Sequence, residues 1–553
     1  MKGLMQEHPL NIPMLARHAE RLHGSRTVAT KTDAGMDLTT YGEVVARARR
    51  LITALRKLGV KADDRVATFC WNHSRHLETW IAVPGMGAIV HTLNIRLFPD
   101  DVAYIVRHAA DSVVIVDLSL WSAWEKVAAK LDGAIAKTIV INDTGAALPP
   151  GTLDYDELIA AEPESEFADV PEGNAAGMCY TSGTTGHPKG VVYSHRSNVL
   201  HAMMSANVDS IALSERDTAL AIVPMFHANC WGIPHTALMQ GCELVFPSRF
   251  MTPDALTQMM VDRQVTLGFG VPTIWLGTFE PMKAAKAQLT HLDRLVCGGS
   301  AVPPALQKAY HREFGVRVIH AWGMTETNPL ASLCRPLARH AELSEDDLDN
   351  VLTSQGRVLP GVELRLADDE GNELPWDGQA VGEIQVRGNW IAADYYNDPS
   401  GAEKFIDGWL RTGDVATVDA DGYIRITDRT KDLVKSGGEW ISSVELEGLI
   451  MSHPDVAEAA VIAVAHPRWD ERPLACVVPR PGTTLTKDAV IEHLRGKVAN
   501  WWLPDDVVFI EEVPKTSVGK FDKKVLRDRF KDYRLPESGT ASTPETVREP
   551  AAT

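Results

Sequence analysis

Short β-branched runs alternate with helical patterns along most of the chain before residue 350. Between Tyr41 and Leu58 the apolar residues share one helical face, and Gly59 follows as a stop signal. Seven runs are suited to buried strands: 66–71, 113–117, 138–142, 219–223, 243–246, 266–269 and 295–297. Because helices separate these strands, we predict layered α/β structure with a largely parallel sheet.

The sequence pattern changes after residue 350. Alternating segments at 361–367 and 382–387 are flanked by turn sequences, and 423–427 resembles their hairpin partner after the Asp421-Gly422 turn. We interpret 350–428 as a β-rich subdomain within a large N-terminal domain that covers 1–430.

A small α+β domain is predicted for residues 431–535, where strand and helix patterns alternate again. Its helices are expected near 443–453 and 487–498, with a strand at 459–464 between them. The last residues, 536–553, are rich in Pro, Ser, Thr, Glu and Ala, and we expect a disordered tail.

The charge and cysteine content exclude several classes of protein. The 553-residue chain has a formal net charge of -18, which disfavours nucleic acid or an anionic membrane as a partner. Its seven cysteines are odd in number and form no CxxC pair, so we expect reduced, mostly buried thiols in a cytoplasmic protein. We also expect neither a signal peptide nor a membrane helix, because no apolar run is suitable for either.

The stretch YTSGTTGHPKG at residues 180–190 is the most informative motif. Its glycines let the backbone approach a ligand and expose N–H groups to anionic oxygen. Its hydroxyl side chains add donors, and Lys189 adds a positive charge. We therefore predict a phosphate-binding loop. The Walker A pattern GxxxxGK[ST] is absent, which disfavours a P-loop nucleoside triphosphatase.

This loop resembles the signature of the adenylate-forming superfamily of acyl-CoA synthetases, luciferases and peptide-synthetase adenylation domains. Further family motifs follow in order: PMFHANCWG at 224–232, GGSAVP at 298–303, WGMTE at 322–326, RTGD at 411–414, DRTKDLVKSGGEWIS at 428–442 and PKTSVGK at 514–520. The SGGEWIS string is most similar to the branch of medium- and long-chain fatty acyl-CoA synthetases.

The resemblance implies that the chain binds ATP, Mg²⁺ and coenzyme A. In it, the Asp414 carboxylate accepts the ribose hydroxyls, while Glu326 and Thr184 supply oxygen ligands to the metal. Most relatives have Tyr where Trp322 stands, so the shape of the pocket floor stays open. The implied ATP- and AMP-binding residues are Thr181, Ser182, Gly183, Thr184, Thr185, Lys189, Gly299, Ser300, Ala301, His320, Ala321, Trp322, Gly323, Thr325, Asp414 and Arg429.

The acyl pocket is implied to begin at His227, which would lie beside the reacting carboxylate and act with Lys520 and Glu326 as a catalytic residue. Trp231 resembles the aromatic gate of the long-chain enzymes, although a structural core tryptophan is the alternative. The implied pocket residues are His227, Trp231, Gly270, Val271, Gly298 and Trp322.

The small domain is implied to be mobile, with its hinge at Lys431. Lys520 would stabilise charge on the carboxylate and the α-phosphate during adenylation, and a loop of the same domain would then replace it. The implied CoA-binding residues of that loop are Lys435, Ser436, Gly437, Gly438, Glu439 and Trp440.

The implied activity is that of an ATP-dependent acid–thiol ligase, which forms acyl-CoA through acyl-AMP and releases AMP and pyrophosphate. The expected substrate is a medium- or long-chain fatty acid, and the expected assembly is a homodimer. A short or unusual acid, such as a thioether, branched or aryl carboxylate, is the alternative. Three further hypotheses remain: an amino-acid-activating domain, a luciferase-type oxygenase and an adenylate-binding regulator. Intact Glu326, Asp414 and Lys520 disfavour the regulator.

Overall fold

The computed structural model describes residues 1–181, 187–368, 370–429, 431–437, 439–516 and 521–536. The chain divides into two compact units, one over residues 1–426 and a second that begins at Thr427. The boundary expected from the sequence, between 430 and 431, falls a few residues later. The predicted tail lies outside the described residues from 537 onward.

Helices in the large unit start where the sequence supplies caps. Thr40 and Glu43 form a capping box at the second helix, and the apolar face predicted there is buried. The described α-helices are α1 Ile12–His23, α2 Tyr41–Lys57, α3 Ser74–Gly85, α4 Pro99–Ala109, α5 Trp121–Ala128, α6 Tyr155–Ala160, α7 His195–Ser205, α8 Ile233–Gln240, α9 Pro253–Asp262, α10 Pro272–Ala284, α11 Pro304–Phe314, α12 Glu345–Leu352, α13 Gly401–Lys404, α14 Ser443–Met451, α15 Lys487–Leu494 and α16 Lys523–Arg529.

The longest described strands, of 10 and 11 residues, lie in the second half of the chain. The described strands are β1 Thr27–Thr32, β2 Gly35–Thr40, β3 Arg65–Phe69, β4 Ile89–Thr92, β5 Val113–Asp117, β6 Lys137–Ile141, β7 Leu153–Asp154, β8 Ala175–Tyr180, β9 Gly190–Ser194, β10 Thr218–Ala221, β11 Glu243–Phe246, β12 Leu267–Gly270, β13 Arg294–Gly298, β14 Arg317–Gly323, β15 Leu330–Leu333, β16 Arg357–Val358, β17 Val362–Ala367, β18 Gly382–Gly388, β19 Phe405–Ile406, β20 Trp409–Val418, β21 Ile424–Arg429, β22 Val434–Ser436, β23 Glu439–Ile441, β24 Val456–His466, β25 Asp470–Pro479 and β26 Asp506–Phe509.

Two largely parallel sheets form the first part of the large unit. The described strands of one sheet follow the order β16-β15-β14-β13-β12-β10-β11-β1-β2, and those of the other follow β7-β6-β5-β3-β4-β8-β9. Antiparallel pairing is confined to their ends, at β1/β2, β14/β15, β15/β16 and β8/β9. Buried Val, Ile, Leu and Ala side chains fill both sheets, as parallel strands covered by helices require. The predicted α/β layers are confirmed.

An antiparallel sheet follows in the chain, with the order β17-β18-β20-β19 and with β21 joined to β20. Its register runs through the alternating segments that the sequence singled out, for example Val362 opposite Gly388. Residues 362–429 are thus rich in β-strand.

The small unit has its own sheet, with the order β23-β22-β25-β24 and with β26 parallel to β25. Helices α14 and α15 contribute to its apolar core. The helix predicted to reach 498 is wrong at its end, because α15 stops at Leu494. Arg495 leaves the helical region of backbone space and Gly496 adopts a φ of +73°.

Two further expectations concern the whole chain. All seven cysteines lie in the described part, and each is buried and free of disulfide bonds. Within the described ranges, no helix has the length and apolarity needed to span a membrane.

A buried charge cluster joins four segments of the small unit. The Lys523 ammonium lies 2.7 Å from the Glu447 carboxylate and donates a hydrogen bond to Ser443 Oγ. The backbone N–H of Ser443 in turn donates to the Asp428 carboxylate. Glu447 also accepts the Val461 N–H at 2.7 Å. Burial raises the pKa of Glu447 to about 7 and also raises that of Asp428. One cation thus faces two buried carboxyl groups, so one of them retains a proton more readily than in water.

Glu447→Gln should remove a pH-dependent contribution to stability. The pKa of Glu447 rises from 4.5 to about 7 on folding. The folded state is therefore stabilised by the whole of this contribution below pH 4.5, and the contribution is lost as the pH rises to 7. The change is on the order of 3 kcal/mol, at roughly 1.4 kcal/mol per pKa unit. Urea unfolding of the full chain at several pH values measures it, as the difference between wild type and variant.

Glu492→Gln is the control, since the Glu492 side chain is exposed. The difference in unfolding free energy between wild type and this variant should not change with pH. A wild-type-minus-E447Q difference that stays constant from acid to neutral pH would contradict the prediction.

Candidate active site

Several predicted site residues lie at one edge of the nine-stranded sheet. Strands β10, β12, β13 and β14 are parallel neighbours, so their carboxyl ends lie side by side. Gly270, Gly298 and Trp322 lie at or near the ends of three of these strands, and His227 follows the fourth. Ligands of open α/β sheets bind at such edges.

Two of the pocket residues must be glycine for reasons of space. A Cβ at Gly298 would lie 2.5 Å from the Ala321 carbonyl oxygen on the neighbouring strand. A Cβ at Gly270 would lie 2.9 Å from the Trp275 ring. The neighbouring Val271 is half-buried and precedes α10. Neighbouring protein atoms therefore occupy the space that a side chain at either position would need.

Trp322 and Asp414 meet although they are far apart in the chain. The indole Nε1–H donates to Asp414 Oδ2 at 2.8 Å, and the two side chains are 7% and 5% exposed. The Asp414 N–H donates to Thr412 Oγ1, and Glu383 accepts from the Gly413 N–H at 3.0 Å. The carboxylate of the RTGD motif therefore lies on a fixed segment of β20, beside the end of β14.

Glu326 is held by a residue that no sequence motif indicated. Its carboxylate is 6% exposed and accepts a 2.5 Å hydrogen bond from the Tyr395 hydroxyl. The Lys189 ammonium lies 4.8 Å from the centre of the Tyr395 ring. Burial and the adjacent Glu326 carboxylate raise the pKa of Tyr395 well above its usual range, so the phenol remains a donor. Tyr395 thus links the loop lysine to the predicted metal ligand.

The backbone around Glu326 is fixed as well. The Tyr193 hydroxyl donates to the Thr325 carbonyl oxygen at 2.8 Å, and the Glu326 carbonyl accepts the Ala392 N–H. Gly323 leaves no space for a side chain, because a Cβ there would lie 1.9 Å from the Pro329 carbonyl oxygen.

The other predicted nucleotide-binding residues differ in exposure. His320 and Ala321 are buried on β14, and burial lowers the pKa of His320 to about 4, so this ring is neutral at pH 7. Gly299 adopts a φ of +85° after β13, and Ser300 and Ala301 are exposed.

The ends of the predicted phosphate loop are tied together. The Thr181 N–H donates to the Lys189 carbonyl oxygen at 2.9 Å. The Lys189 N–H donates back to the Thr181 hydroxyl at 3.1 Å. His187 stacks on Tyr104 at 4.6 Å between ring centres, and Tyr104 stacks in turn on His108. The predicted residues Ser182, Gly183, Thr184 and Thr185 lie outside the described residues.

The segment after His227 has an unusual backbone. Four successive residues from Ala228 to Trp231 have φ between +43° and +54°, and Gly232 follows at +73°. Such left-handed turns are strained for residues other than glycine. The half-buried Trp231 side chain lines a gap together with Phe269 and Leu213, and this gap is too narrow for a water-sized molecule.

The small unit carries most of the remaining predicted residues. The Lys435 ammonium lies 4.5 Å from the centre of the Trp440 ring, and Ser436 Oγ accepts from Arg472 at 3.0 Å. Gly437 has a φ of +63° and lies against Trp469. Glu439 begins β23, Arg429 ends β21, and burial lowers the pKa of Lys431. Gly438 and Lys520 lie outside the described residues.

A separate buried cluster has the spacing of a metal site. Ligand atoms of Cys70, His73 and Asp117 lie within 4.8 Å of one another. His73 Nε2 is hydrogen-bonded to Asp117 at 2.9 Å, and its Nδ1 accepts the His76 N–H that begins α3. Hydrogen bonds within the fold therefore account for this cluster, and we assign it a structural role.

Comparison with known families identifies the class. A family model for AMP-binding enzymes matches residues 15–396, and the model for the C-terminal domain of AMP-binding enzymes matches 445–520. The first match alone covers more than half of the chain. The chain belongs to the AMP-binding enzyme family.

Three relatives share nearly their whole length with this chain. A medium-chain-fatty-acid–CoA ligase of Ectopseudomonas oleovorans is 42% identical and covers 98% of this chain and 100% of the relative. A long-chain-fatty-acid–CoA ligase of Thermus thermophilus is 45% identical, with 96% and 97% covered. A 3-methylmercaptopropionyl-CoA ligase of Ruegeria lacuscaerulensis is 43% identical, with 96% and 99% covered.

Solved structures show the same fold. The anthranilate CoA ligase AuaEII in complex with anthranoyl-AMP has a TM-score of 0.84 at 26% identity, covering 95% of this chain and 99% of that chain. ATP-bound MatB from Rhodopseudomonas palustris has a TM-score of 0.82 at 28% identity, with 94% and 99% covered. The predicted family, fold class and general activity, that of an AMP-forming acyl-CoA ligase, are confirmed.

Gly298→Ala should destabilise the large unit. The added methyl group would meet the Ala321 carbonyl oxygen at 2.5 Å, a backbone atom of a paired strand that cannot move alone. We expect a loss of about 1–3 kcal/mol, as for other overpacked sites. Thermal unfolding measures it.

Gly173→Ala is the control, since a methyl group there meets no described atom within 4 Å. Equal melting temperatures for the wild type and the Gly298 variant would refute the expected clash.

Proposed function

We propose that the chain is an ATP-dependent acid–thiol ligase that joins a medium- or long-chain fatty acid, or a similarly apolar acid, to coenzyme A. The observation that supports this most is the link from Lys189 through Tyr395 to Glu326. Trp322 is close to Glu326 in the sequence and donates a hydrogen bond to the buried Asp414. A cation and two buried carboxylates of this kind support a site that binds a nucleotide and its phosphates. The fatty-acid ligases among the relatives support the same substrate class.

The chemistry requires two transfers. A carboxylate is a poor acyl donor because its leaving group would be oxide. Attack of its oxygen on the α-phosphorus of ATP breaks the bond to pyrophosphate and forms acyl-AMP. The thiol of coenzyme A then attacks the acyl carbon, and AMP leaves. Positioning and charge stabilisation suffice for both steps, so no protein nucleophile is needed.

In the proposed assignment, the large unit holds the nucleotide and the acid. The Asp414 carboxylate accepts the ribose hydroxyls, and Thr181 and Lys189 bind phosphate together with the loop between them. His227 lies beside the reacting carboxylate, and the acyl chain extends past Trp231. Arg429 contacts ribose or phosphate.

The described residues fit a magnesium ion at Glu326. A buried carboxylate that one phenol already orients is a suitable oxygen ligand, and Mg²⁺ is commonly bound by one or two protein oxygens plus phosphates. Glu326 would hold the ion together with Thr184. When bound, it would neutralise charge on the phosphate oxygens.

The small unit would supply different groups to the two steps. We place the domain boundary at 430/431 and the hinge at Lys431, with Lys520 serving adenylation and the loop Lys435–Trp440 serving thioester formation. Asp428 lies before this hinge and is bound to Ser443 within the small unit. A rotation at Lys431 that leaves Asp428 behind would have to break this contact.

A ligase for a short or unusual acid is the second candidate. The 3-methylmercaptopropionyl-CoA ligase is as similar to this chain as the fatty-acid ligases are.

The proposed setting is the cytoplasm, and the proposed assembly is a homodimer. Seven buried, unpaired cysteines suit a reducing compartment. Light scattering of the purified chain tests the assembly, and a monomer at working concentrations would contradict it.

Lys520→Ala should abolish acyl-AMP formation and largely spare thioester formation from supplied acyl-AMP. The lysine would stabilise charge only in the first transfer, where a loss of at least about a hundredfold is expected for a removed electrostatic group. Pyrophosphate release and acyl-CoA formation measure the two steps separately.

Lys524→Ala is the matched control, because Lys524 is an exposed lysine of the same segment. An equal loss of both half-reactions in K520A would show that the lysine has another role.

A panel of acids separates the two candidate substrate classes. Butanoate, octanoate, hexadecanoate, methylthiopropanoate and benzoate are assayed for AMP release in the presence of coenzyme A. For a medium- or long-chain enzyme, kcat/KM should rise from butanoate to octanoate by up to about fourfold per buried methylene. A maximum at methylthiopropanoate would instead support the thioether-acid ligase.

A further inference from the structure

The residue at 322 performs two tasks in this chain. Its ring lies at the end of β14, at the edge where the nucleotide is proposed to bind, and its indole nitrogen binds Asp414. The adenylate-forming family that this sequence resembles usually has Tyr at the position. An indole N–H is a donor only, so its partner here must remain an acceptor.

A buried carboxylate without a fixed donor can rotate about its last bond. The Trp322 N–H reaches only Oδ2, at 2.8 Å, and the Asp414 backbone is anchored by Thr412. One oxygen of the group is thereby fixed in position. An ionised carboxylate offers about four acceptor positions, and one indole N–H occupies only one of them.

The two residues belong to different layers of the large unit. Trp322 is on the nine-stranded sheet, whereas Asp414 is on β20 of the antiparallel sheet. The hydrogen bond spans 92 positions of sequence. The hydrogen bond therefore fixes the position of the Asp414 carboxylate relative to the sheet edge that carries Gly298 and Trp322.

We propose that Trp322 is a positioning residue for ribose recognition: its indole N–H orients the Asp414 carboxylate so that it accepts the ribose hydroxyls of ATP. Preference for ATP over its deoxy analogues then depends on the side chain at 322. This inference rests on the proposed function, in which Asp414 binds ribose.

The decisive variant is Trp322→Phe, which keeps an aromatic ring and removes the donor. Binding of ATP, 2′-deoxy-ATP and 3′-deoxy-ATP is measured by calorimetry, which requires no turnover. We expect W322F to weaken ATP binding about tenfold, as for loss of a hydrogen bond to a charged group, and the deoxy analogue that lacks the bound hydroxyl much less. The preference for ATP over that analogue should therefore fall.

Steady-state kinetics provide a second readout. If the ring itself only shapes the site, W322F would change the KM of ATP and of both deoxy analogues by the same factor. If Trp322 orients Asp414, the effect is confined to ribose: KM for ATP rises, the preference falls, and kcat changes less. Asp414→Asn should reduce the preference too, and the double variant should lose no more than Asp414→Asn alone.

Trp390→Phe is the matched control. Trp390 is buried in the same unit, and its indole N–H donates to the Leu330 carbonyl oxygen at 3.0 Å. This variant should lose stability and retain the full preference for ATP.

The proposal is overturned if W322F retains the wild-type preference among the three nucleotides, or if W390F lowers that preference equally. A failure of the proposed function would give a different experimental result. In that case the wild type forms no acyl-CoA from any acid, while the calorimetric preference still decides the role of Trp322.

Discussion

Burial of two carboxylates at one sheet edge is the constraint on which the site depends. A buried carboxylate is stable only with donors around it, because it has lost water. Glu326 receives the Tyr395 hydroxyl and Asp414 receives the Trp322 indole, so two aromatic donors hold the two acids. The glycines at the ends of β12, β13 and β14 let neighbouring protein atoms approach the strands closely. The site thus combines two oriented acceptors with the cationic Lys189, which lies beside Tyr395.

The division into two units matches the needs of a two-step reaction. Adenylation and thioester formation require different groups near the same carbon, which one rigid site cannot easily supply. The small unit has its own core and a buried Lys523–Glu447 pair. The segment before the proposed hinge is fastened to it through Asp428 and Ser443. A swing about the proposed hinge would therefore have to carry Asp428 with the small unit or break its contact with Ser443.

The sequence predicted the local features well and the long-range contacts poorly. Periodicity located α2 and most core strands, and the motifs located Glu326 and Asp414, because both signals are contained in short windows. Tyr395 could not be found in this way, since its role arises from a contact with Glu326 across 69 positions. The left-handed turn from Ala228 to Trp231 also escaped prediction, because its residues are not ones that prefer such a backbone. The periodic pattern continues to Val498, whereas α15 ends at Leu494, because the backbone leaves the helical region at Arg495 and Gly496 adopts a positive φ.

Isotope exchange between pyrophosphate and ATP tests the central claim most directly. The chain is incubated with ATP, an apolar acid and radiolabelled pyrophosphate, without coenzyme A. If acyl-AMP forms reversibly, label must enter ATP, and only when the acid is present. Addition of coenzyme A should then convert the acid to its thioester with release of AMP. Label that enters ATP without acid, or products that are ADP and phosphate, would contradict an acyl-AMP route.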